Sequence, residues 1–505
     1  MGLIDLLIVA GYLAGVVAVG AAFSRRQKTT AQYFLGGRNV PWWAISASIV
    51  ATETSTVTFI SVPGIAYARG GDFTFLQLVF GYLLGRIVIA ALFIPRYFEG
   101  ELLTVYQLLT RRFGNLVKGV AASLFILMRS IGDGIRLLLT AIVLAAVWRA
   151  FRPASDAEQA VTISIIGIGI VMILFTLWGG MEAVIWIEVA QLGIYIAGAI
   201  AAAVVIAGKI PGGLPAAWEL GARFDKLRLF DFSLSGQGSF TTFWAGLIGG
   251  CFLTMSTHGT DQYLVQRYLC TDRPRRATAA LLSSGVIVLL QFAGFLTIGL
   301  LLFAFHRPFE QAGYAAGAKA FPFLRPDGVF PDFITHHLPS GLAGLVVAAI
   351  FAAAMSSSLN SVAATALNDL YRPLKARFTA LPAPGVDADL SALRLSKLFT
   401  LVAGAAQIGV GLAVRRSPAS ALDNVLSVAS LLNGPVLGVF LLGAITKRAG
   451  PRSALVGMLA GIAVILVVRT ATSIAWPWYA AIGSLTTLGV GALAGTLRGP
   501  RKVTA

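Results

Sequence analysis

Charged residues are scarce in this sequence. Only 12% of its 505 residues are Asp, Glu, Lys or Arg, whereas a soluble globular protein has roughly 25%. Hydrophobic residues make up 57%, and the mean hydropathy is +0.81. So few charges exclude a soluble domain of this size. The composition therefore predicts an all-α, polytopic membrane protein.

Cysteines and catalytic motifs are also lacking. Cys251 and Cys270 are too few for a disulfide framework or a cysteine metal cluster. The sequence contains no Walker loop, no H-E-x-x-H pair and no nucleophile elbow. ATP-driven pumping and intramembrane proteolysis therefore lack the residues they need. We expect neither an enzyme nor an organic cofactor.

Positive charge is in excess, with a formal net charge of +17. More than half of the 39 Lys and Arg residues lie in connectors that alternate along the chain and so share one side of the membrane. This is the pattern of membrane topology, and it does not suggest a nucleic-acid partner. Because the cytoplasmic side carries the positive excess, we predict a multi-pass protein of the plasma (inner) membrane. Its N-terminus lies outside and its C-terminus is cytoplasmic.

A bilayer-spanning helix needs about 20 apolar residues, and the sequence offers about thirteen such runs. The predicted spans are 3–23, 41–67, 73–95, 117–147, 161–178, 183–207, 241–265, 277–304, 339–369, 395–414, 421–445, 453–472 and 476–496.

The second span has a polar centre. Between Trp42 and Gly70, apolar ends flank a short segment in which Glu53 stands among five hydroxyl residues. In hydrocarbon an unpaired polar group costs several kcal/mol, so such a segment persists only against protein or a wet cavity. A carboxylate at this depth marks a candidate functional site. We predict that the helix is interrupted here and lines a binding site.

The ninth span contains the second concentration of hydroxyl groups. Ala354, Ser357 and Ser358 stand at i, i+3 and i+4 and share one helix face. Two hydroxyls beside an open carbonyl form an oxygen-only surface that suits a hard cation. Close packing of helices through small residues is the alternative interpretation.

Ionisable residues also occur in the fourth and sixth spans. Arg129, Asp133 and Arg136 share one helix face, and one aspartate neutralises only one arginine. The second guanidinium is then available to a solute carboxylate, unless the three form a structural ion-pair ladder. Glu188, in the sixth span, is a candidate for a second ion or a proton, or for a cytoplasmic gate residue paired with a loop arginine.

The seventh span is the other candidate for a broken helix, because Gly249 and Gly250 precede a run of hydroxyl residues. It lies five helices after the second span, and an odd offset reverses orientation in the membrane. This predicts inverted five-helix repeats with the site at the two breaks. In the eleventh span, Ser427 and Ser430 join the candidate solute-binding residues.

Several motifs together resemble the sodium:solute symporter family, which includes bacterial sugar, sialic acid and proline transporters. They run from the first connector to the eleventh span. These motifs are Tyr33-Phe34-Leu35-Gly36-Gly37-Arg38, Phe59-Ile60-Ser61-Val62-Pro63-Gly64, Thr104-Val105-Tyr106-Gln107, Gly179-Gly180 to Gln191, Gly259-Thr260-Asp261-Gln262 with Gln266-Arg267-Tyr268, Ala352 to Ser361, and Asn433-Gly434-Pro435.

The resemblance implies a LeuT-type fold with an extra helix before the repeats and two after them. The expected parts are 1–40 (extra helix and first cytoplasmic loop), 41–207 (first repeat), 208–240 (extracellular loop), 241–445 (second repeat), and 446–505 (two C-terminal helices and a cytoplasmic tail).

The resemblance also implies a site. The sodium ligands it implies are the carbonyls of Ala51, Thr54 and Ala354 and the hydroxyls of Ser357 and Ser358. The solute positions it implies are Glu53, Ser55, Thr58, Gln77 and either Arg129 or Arg136. Glu188 stands where family members often have an aspartate that is linked in some of them to a further sodium.

We therefore predict a symporter that imports a small organic solute with sodium by alternating access, its partners being solute, sodium and the lipid bilayer. The solute class stays open among sugars, organic anions such as a sialic acid, and amino acids. Two alternatives remain: a proton-coupled carrier on the same fold, and a non-transporting sensor or channel-like member.

Overall fold

The structure is a computed structural model, which describes residues 3–24, 27–54, 56–100, 102–151, 156–233, 242–310, 326–354, 358–378, 386–416 and 431–497. The described residues are helical apart from short connections. Five of their helices are long and apolar enough to cross a membrane by length and composition; these are Leu3–Phe23, Ala157–Lys209, Pro274–Glu310, Leu390–Val414 and Pro451–Ala471.

The second predicted span is broken, as its polar centre predicts. Helix α3 (Trp42–Glu53) ends one residue before Thr54, and α4 (Thr56–Tyr67) continues beyond the break. Both halves pack against the long helix α12 (Pro274–His306). The first helix, α1 (Leu3–Phe23), packs against the helices Ala157–Lys209 and Leu342–Ala354.

The first half of the chain supplies the other elements around the break. They are α2 (Thr30–Leu35), α5 (Leu76–Leu92), α6 (Ile94–Tyr97), α7 (Gln107–Phe151), α8 (Ala157–Lys209) and α9 (Gly213–Arg223). Spans five and six form one continuous helix, α8, with a kink at Gly180. This residue has φ +58°, and a Cβ there would lie 2.7 Å from the Tyr33 carbonyl oxygen, so the kink requires glycine.

The seventh span is also divided, but not at its glycine pair. A π-helical turn, Ala245–Gly249, leads into α10 (Gly250–Thr260). The helix breaks at Asp261, which is extended, and resumes as α11 (Gln262–Tyr268). The Asp261 carboxylate accepts a hydrogen bond from the Tyr263 amide at 2.9 Å, so it caps α11 as an N-cap residue.

The remainder of the chain completes the bundle. Its helices are α13 (Val329–His337), α14 (Leu342–Ala354), α15 (Leu359–Thr365), α16 (Arg372–Lys375), α17 (Val386–Val414), α18 (Asn433–Ile445), α19 (Pro451–Ala471) and α20 (Trp478–Thr496). Helices α14 and α15 both belong to the predicted ninth span, and residues 355–357 between them lie outside the described residues. Helices α19 and α20 pack on each other and on α18.

Candidate functional site

The break in the second span leaves polar groups at bilayer depth. Thr54 has non-helical backbone angles (φ −77°, ψ 89°). Its hydroxyl donates to the Val50 carbonyl at 2.7 Å and lies 2.8 Å from the Gln291 side-chain nitrogen of α12. The last carbonyl groups of a helix have no hydrogen-bond donor inside that helix. The end of α3 therefore presents oxygen atoms where the sequence predicts a sodium site.

Glu53, the last residue of α3, is tied to two other spans. Its carboxylate forms an ion pair with the fully buried Arg86 of α5. The other carboxylate oxygen lies 2.7 Å from Nε2 of His258, whose Nδ1 is 2.7 Å from the Tyr268 hydroxyl. Sequence reasoning placed Glu53 at the solute and missed Arg86, although a charge within an apolar span is itself a signal.

Glu188 is held by a second buried ion pair. Arg267 of α11 donates from two nitrogens, one at 2.5 Å to Oε1 and one at 3.2 Å to Oε2. Ser48 and Thr52 of α3 donate to the same carboxylate. The arginine therefore already neutralises Glu188. It belongs to helix α11 and not to a loop, where the sequence predicts the partner of a gate residue.

The fourth span brings its charged residues to one face, as predicted. Arg129 lies 2.6 Å from Asp261 and 3.8 Å from Asp133, and its guanidinium covers the Tyr263 ring at 4.4 Å. The expected net positive charge is wrong, because Asp261 supplies a second carboxylate. Two arginines and two aspartates therefore balance.

Arg136 differs from Arg129 in its surroundings. Its 3.5 Å contact with Asp133 is longer than the 2.6 Å contact between Arg129 and Asp261. Its side chain is 46% exposed, against 16% for Arg129. Both arginines line a cavity of about 210 Å³ between α7, α10 and α18. Its lining residues are Phe125, Met128, Arg129, Gly132, Asp133, Arg136, Leu253, Thr257, Asp261 and Asn433.

Ser358 connects this charged cluster to the predicted sodium site. It is buried at the start of α15, and its hydroxyl donates to Asp133. Gln407 of α17 donates to the same hydroxyl oxygen at 3.2 Å. A serine oxygen has two acceptor positions, and Gln407 occupies one of them. The other acceptor position remains for a cation while the Ser358 hydroxyl donates its hydrogen to Asp133.

The other predicted site residues are only partly described. Thr58 is half-buried in α4. Gln77 is fully buried, accepts a hydrogen bond from the Asp231 amide at 2.9 Å and donates to the Thr74 carbonyl at 3.1 Å. Ala354 is the last residue of α14. Four predicted residues lie outside the described residues: Ser55, Ser357, Ser427 and Ser430.

Comparison with known proteins identifies the family. Residues 33–461 match the sodium:solute symporter family. The chain belongs to this family. It is 31% identical to the sodium/sialic acid symporter SiaT of Proteus mirabilis (strain HI4320), over 99% of this chain and 96% of that protein. It is 32% identical to the sodium/sialic acid symporter NanT of Aliivibrio fischeri (strain ATCC 700601 / ES114), over 97% and 93%.

Solved structures agree with this assignment. A substrate-bound, outward-open sodium-coupled sialic acid symporter is 30% identical, covers 100% of this chain and 99% of its own, and has a TM-score of 0.84. Mhp1, a nucleobase-cation-symport-1 family transporter, shares the fold at 13% identity, with a TM-score of 0.54 over 93% and 94%. This symporter family member is therefore a multi-pass, sodium-coupled solute symporter with a LeuT-like, all-helical fold.

Proposed function

We propose that the protein imports a carboxylated solute of the sialic acid type together with sodium across the plasma (inner) membrane. The observation that carries this proposal is the half-exposed guanidinium of Arg136 at a polar cavity inside the bundle. A guanidinium binds a carboxylate through two parallel hydrogen bonds. Arg129 suits this role less well, because two aspartates surround it. The names of the two bacterial relatives support the same solute class.

The proposed sodium ligands remain Ala51, Thr54, Ala354, Ser357 and Ser358. The helix end at Glu53 supports this assignment, since it leaves carbonyl oxygens without helical partners. Ser358 supports it with a buried hydroxyl oxygen. Oxygen-only coordination suits a hard cation.

Asp133 is the proposed link between the two ligands. It accepts a hydrogen bond from the Ser358 hydroxyl and lies 3.5 Å from Arg136. Sodium at Ser358 would hold that hydroxyl in its hydrogen bond to Asp133 and so keep the carboxylate beside Arg136. Sodium and solute would then favour the same conformation, which is what coupling requires.

Other parts of the prediction stand as proposals. Thirteen spans, inverted repeats, the domain boundaries and an N-terminus outside the cell complete the topology. Ser55, Thr58, Gln77, Ser427 and Ser430 are further solute candidates. For Glu53 we propose an indirect role, since its carboxylate already binds Arg86 and His258.

The test uses purified protein in proteoliposomes with an inward sodium gradient and labelled sialic acid. Arg136→Ala should raise KM for sialic acid by about tenfold or more, because it removes a charge-assisted bond to the carboxylate. Arg136→Lys should recover only part of the lost affinity, since an ammonium group cannot form the two parallel hydrogen bonds of a guanidinium. Arg275→Ala, at an exposed position in the first turn of α12, is the matched control.

Three results would contradict the proposal. Unchanged sialic acid uptake by Arg136→Ala would remove Arg136 from the solute site. Wild-type protein that accumulates no sialic acid under a sodium gradient, but accumulates another solute, would show that the solute class is wrong. Uptake at full rate in sodium-free buffer would favour proton coupling.

A further inference from the structure

Lys226 occupies an unusual position on the predicted outer side. It follows α9 in the connection to the seventh span and is only 1% exposed. Its Nζ lies 2.8 to 3.2 Å from four main-chain oxygens, those of Ala66, Tyr67, Ala68 and Gly71. It also lies 4.1 Å from the centre of the Phe303 ring, near the end of α12.

The four oxygens belong to the end of the outer half of the broken span. Helix α4 ends at Tyr67, and the turn after it folds back on the helix. A Cβ on Gly71 would lie 1.9 Å from the Ile65 carbonyl oxygen. Only glycine at position 71 therefore lets the turn bring the Gly71 carbonyl oxygen to Lys226. The C-terminal carbonyls of a helix lack donors and carry partial negative charge. Lys226 supplies N–H donors to these carbonyls, and its protonated form also supplies the opposite charge.

We infer that Lys226 is a positioning residue for transport, because its side chain fixes the outer half-helix α4 to the extracellular segment and so sets the affinity of the broken span for sodium. Helix α4 starts at Thr56, directly after the break. It therefore begins two residues after Thr54, a proposed sodium ligand, so a shift of its outer end strains the backbone next to that ligand. Removal of Lys226 would leave a folded bundle with a loosened half-helix.

The binding of Lys226 to these four oxygens also depends on pH. We call the form with these contacts seated and the form without them unseated. Burial lowers the pKa of this lysine from 10.5 to about 7, and the Asp72 carboxylate only partly opposes that effect. The seated lysine therefore releases its proton between pH 7 and 10.5, whereas a lysine in water keeps it. Because the unseated form binds more protons in this window, the seated form gains stability as pH rises above 7. Below pH 7 both forms are protonated, so the free-energy difference between the seated and unseated forms no longer changes with pH.

Other ionisable groups surround this position. Asp72, before α5, binds Arg228 at 2.7 Å. Tyr67 of α4 and His306 of α12 contact each other by their rings. Glu219, Arg223 and Asp225 are exposed. His306 is the group that could imitate a pH response, so a variant that keeps it is the necessary control.

The first experiment measures sodium affinity of the full-length protein as the NaCl concentration for half-maximal thermal stabilisation, with choline chloride holding the ionic strength constant. Lys226→Ala should raise this concentration by about tenfold, the effect of losing hydrogen bonds to a charged group. Lys209→Ala, an exposed lysine at the outer end of α8, should leave it unchanged. Ethylammonium chloride should restore the Lys226→Ala value, whereas tetramethylammonium, which has no N–H donor, should not.

The second experiment measures hydrogen exchange of residues 64–71, corrected for intrinsic rates. In the wild type, protection should rise between pH 7 and 9, while Lys226→Gln, which keeps His306, should show no change. An unaltered sodium requirement in Lys226→Ala, equal rescue by both cations, or flat wild-type protection would each overturn the inference. If Lys226→Ala does not fold, hydrogen exchange of the wild type and of Lys226→Gln still tests the inference. A wild type insensitive to sodium would instead contradict sodium coupling, and the exchange result would remain valid.

Discussion

Individual charged residues inside this bundle are compensated by partners from distant parts of the chain. Glu53 pairs with Arg86, Glu188 with Arg267, and Arg129 with Asp261. Removing one partner of a buried pair costs about 3–5 kcal/mol, because the remaining charge is left without compensation. Arg136 departs from this pattern, since its contact is longer and its side chain is half-exposed. A solute anion would complete its coordination.

Ser358 gives the sharpest prediction for a single residue. Ser358→Ala removes a proposed sodium ligand, so the sodium concentration for half-maximal uptake should rise by about tenfold or more, corresponding to one charge-assisted contact. Uptake at saturating sodium should persist.

The matched control for this substitution is Ser396→Ala, a buried serine of α17 that donates only to the Ala392 carbonyl among the described contacts. Both variants should insert and fold. If Ser358→Ala keeps the wild-type sodium requirement, the proposed site between the second and ninth spans is wrong.

The two helix breaks, at Thr54 and at Asp261, differ in how well the sequence predicts them. The break at Thr54 is predictable, because polar residues in an apolar span cannot remain in a regular lipid-exposed helix. The break at Asp261 is less so. The preceding Gly249 and Gly250 are stronger local signals, but the helix continues through them. It ends where Asp261 both caps α11 and binds Arg129, and only the assembled bundle brings Arg129 there.

Close packing of α5 on the seventh span explains Gly250, whereas Gly249 packs against Pro477. A Cβ on Gly81 would lie 2.2 Å from the Gly246 carbonyl oxygen, and one on Gly250 would lie 2.6 Å from the Leu78 carbonyl oxygen. Small residues let helix backbones approach in membranes. This contact fixes the distance between α5, which carries Arg86, and α10, which carries His258. Glu53 bonds to both.

Gly81→Ala should therefore destabilise the protein by about 1–3 kcal/mol, the usual cost of overpacking. It should also raise the sodium requirement, since Arg86 and His258 can no longer both reach Glu53. Thermal unfolding and sodium titration measure the two effects. Gly167→Ala in α8 is the control, because nothing lies within 4 Å of its Cβ position. Equal behaviour of the two variants would show that this contact does not position the site.

For the molecule as a whole, composition and the order of motifs predict the class, the helical fold and the family. They do so because membrane spans are encoded by local hydropathy and the motifs occur in a fixed order. The pairing of charges is different. Arg86 with Glu53, Gln407 with Ser358, and Asp261 with Arg129 join residues far apart in the sequence, so no local pattern reports them. The neutrality of the cluster around Asp133 is visible only in three dimensions.

The pairing of Glu188 with Arg267 leads to a prediction about the charge moved per transport cycle. Arg267 neutralises Glu188, so we expect this carboxylate to bind no second sodium. One sodium and one monoanionic solute then carry no net charge. Solute accumulation in proteoliposomes should be the same at 0 and at −100 mV, set with valinomycin and potassium gradients. A second sodium would add one charge, worth about 2.3 kcal/mol at 100 mV, and would increase accumulation about 50-fold. An increase of that size would place a second cation in the cycle, with Glu188 as its first candidate ligand.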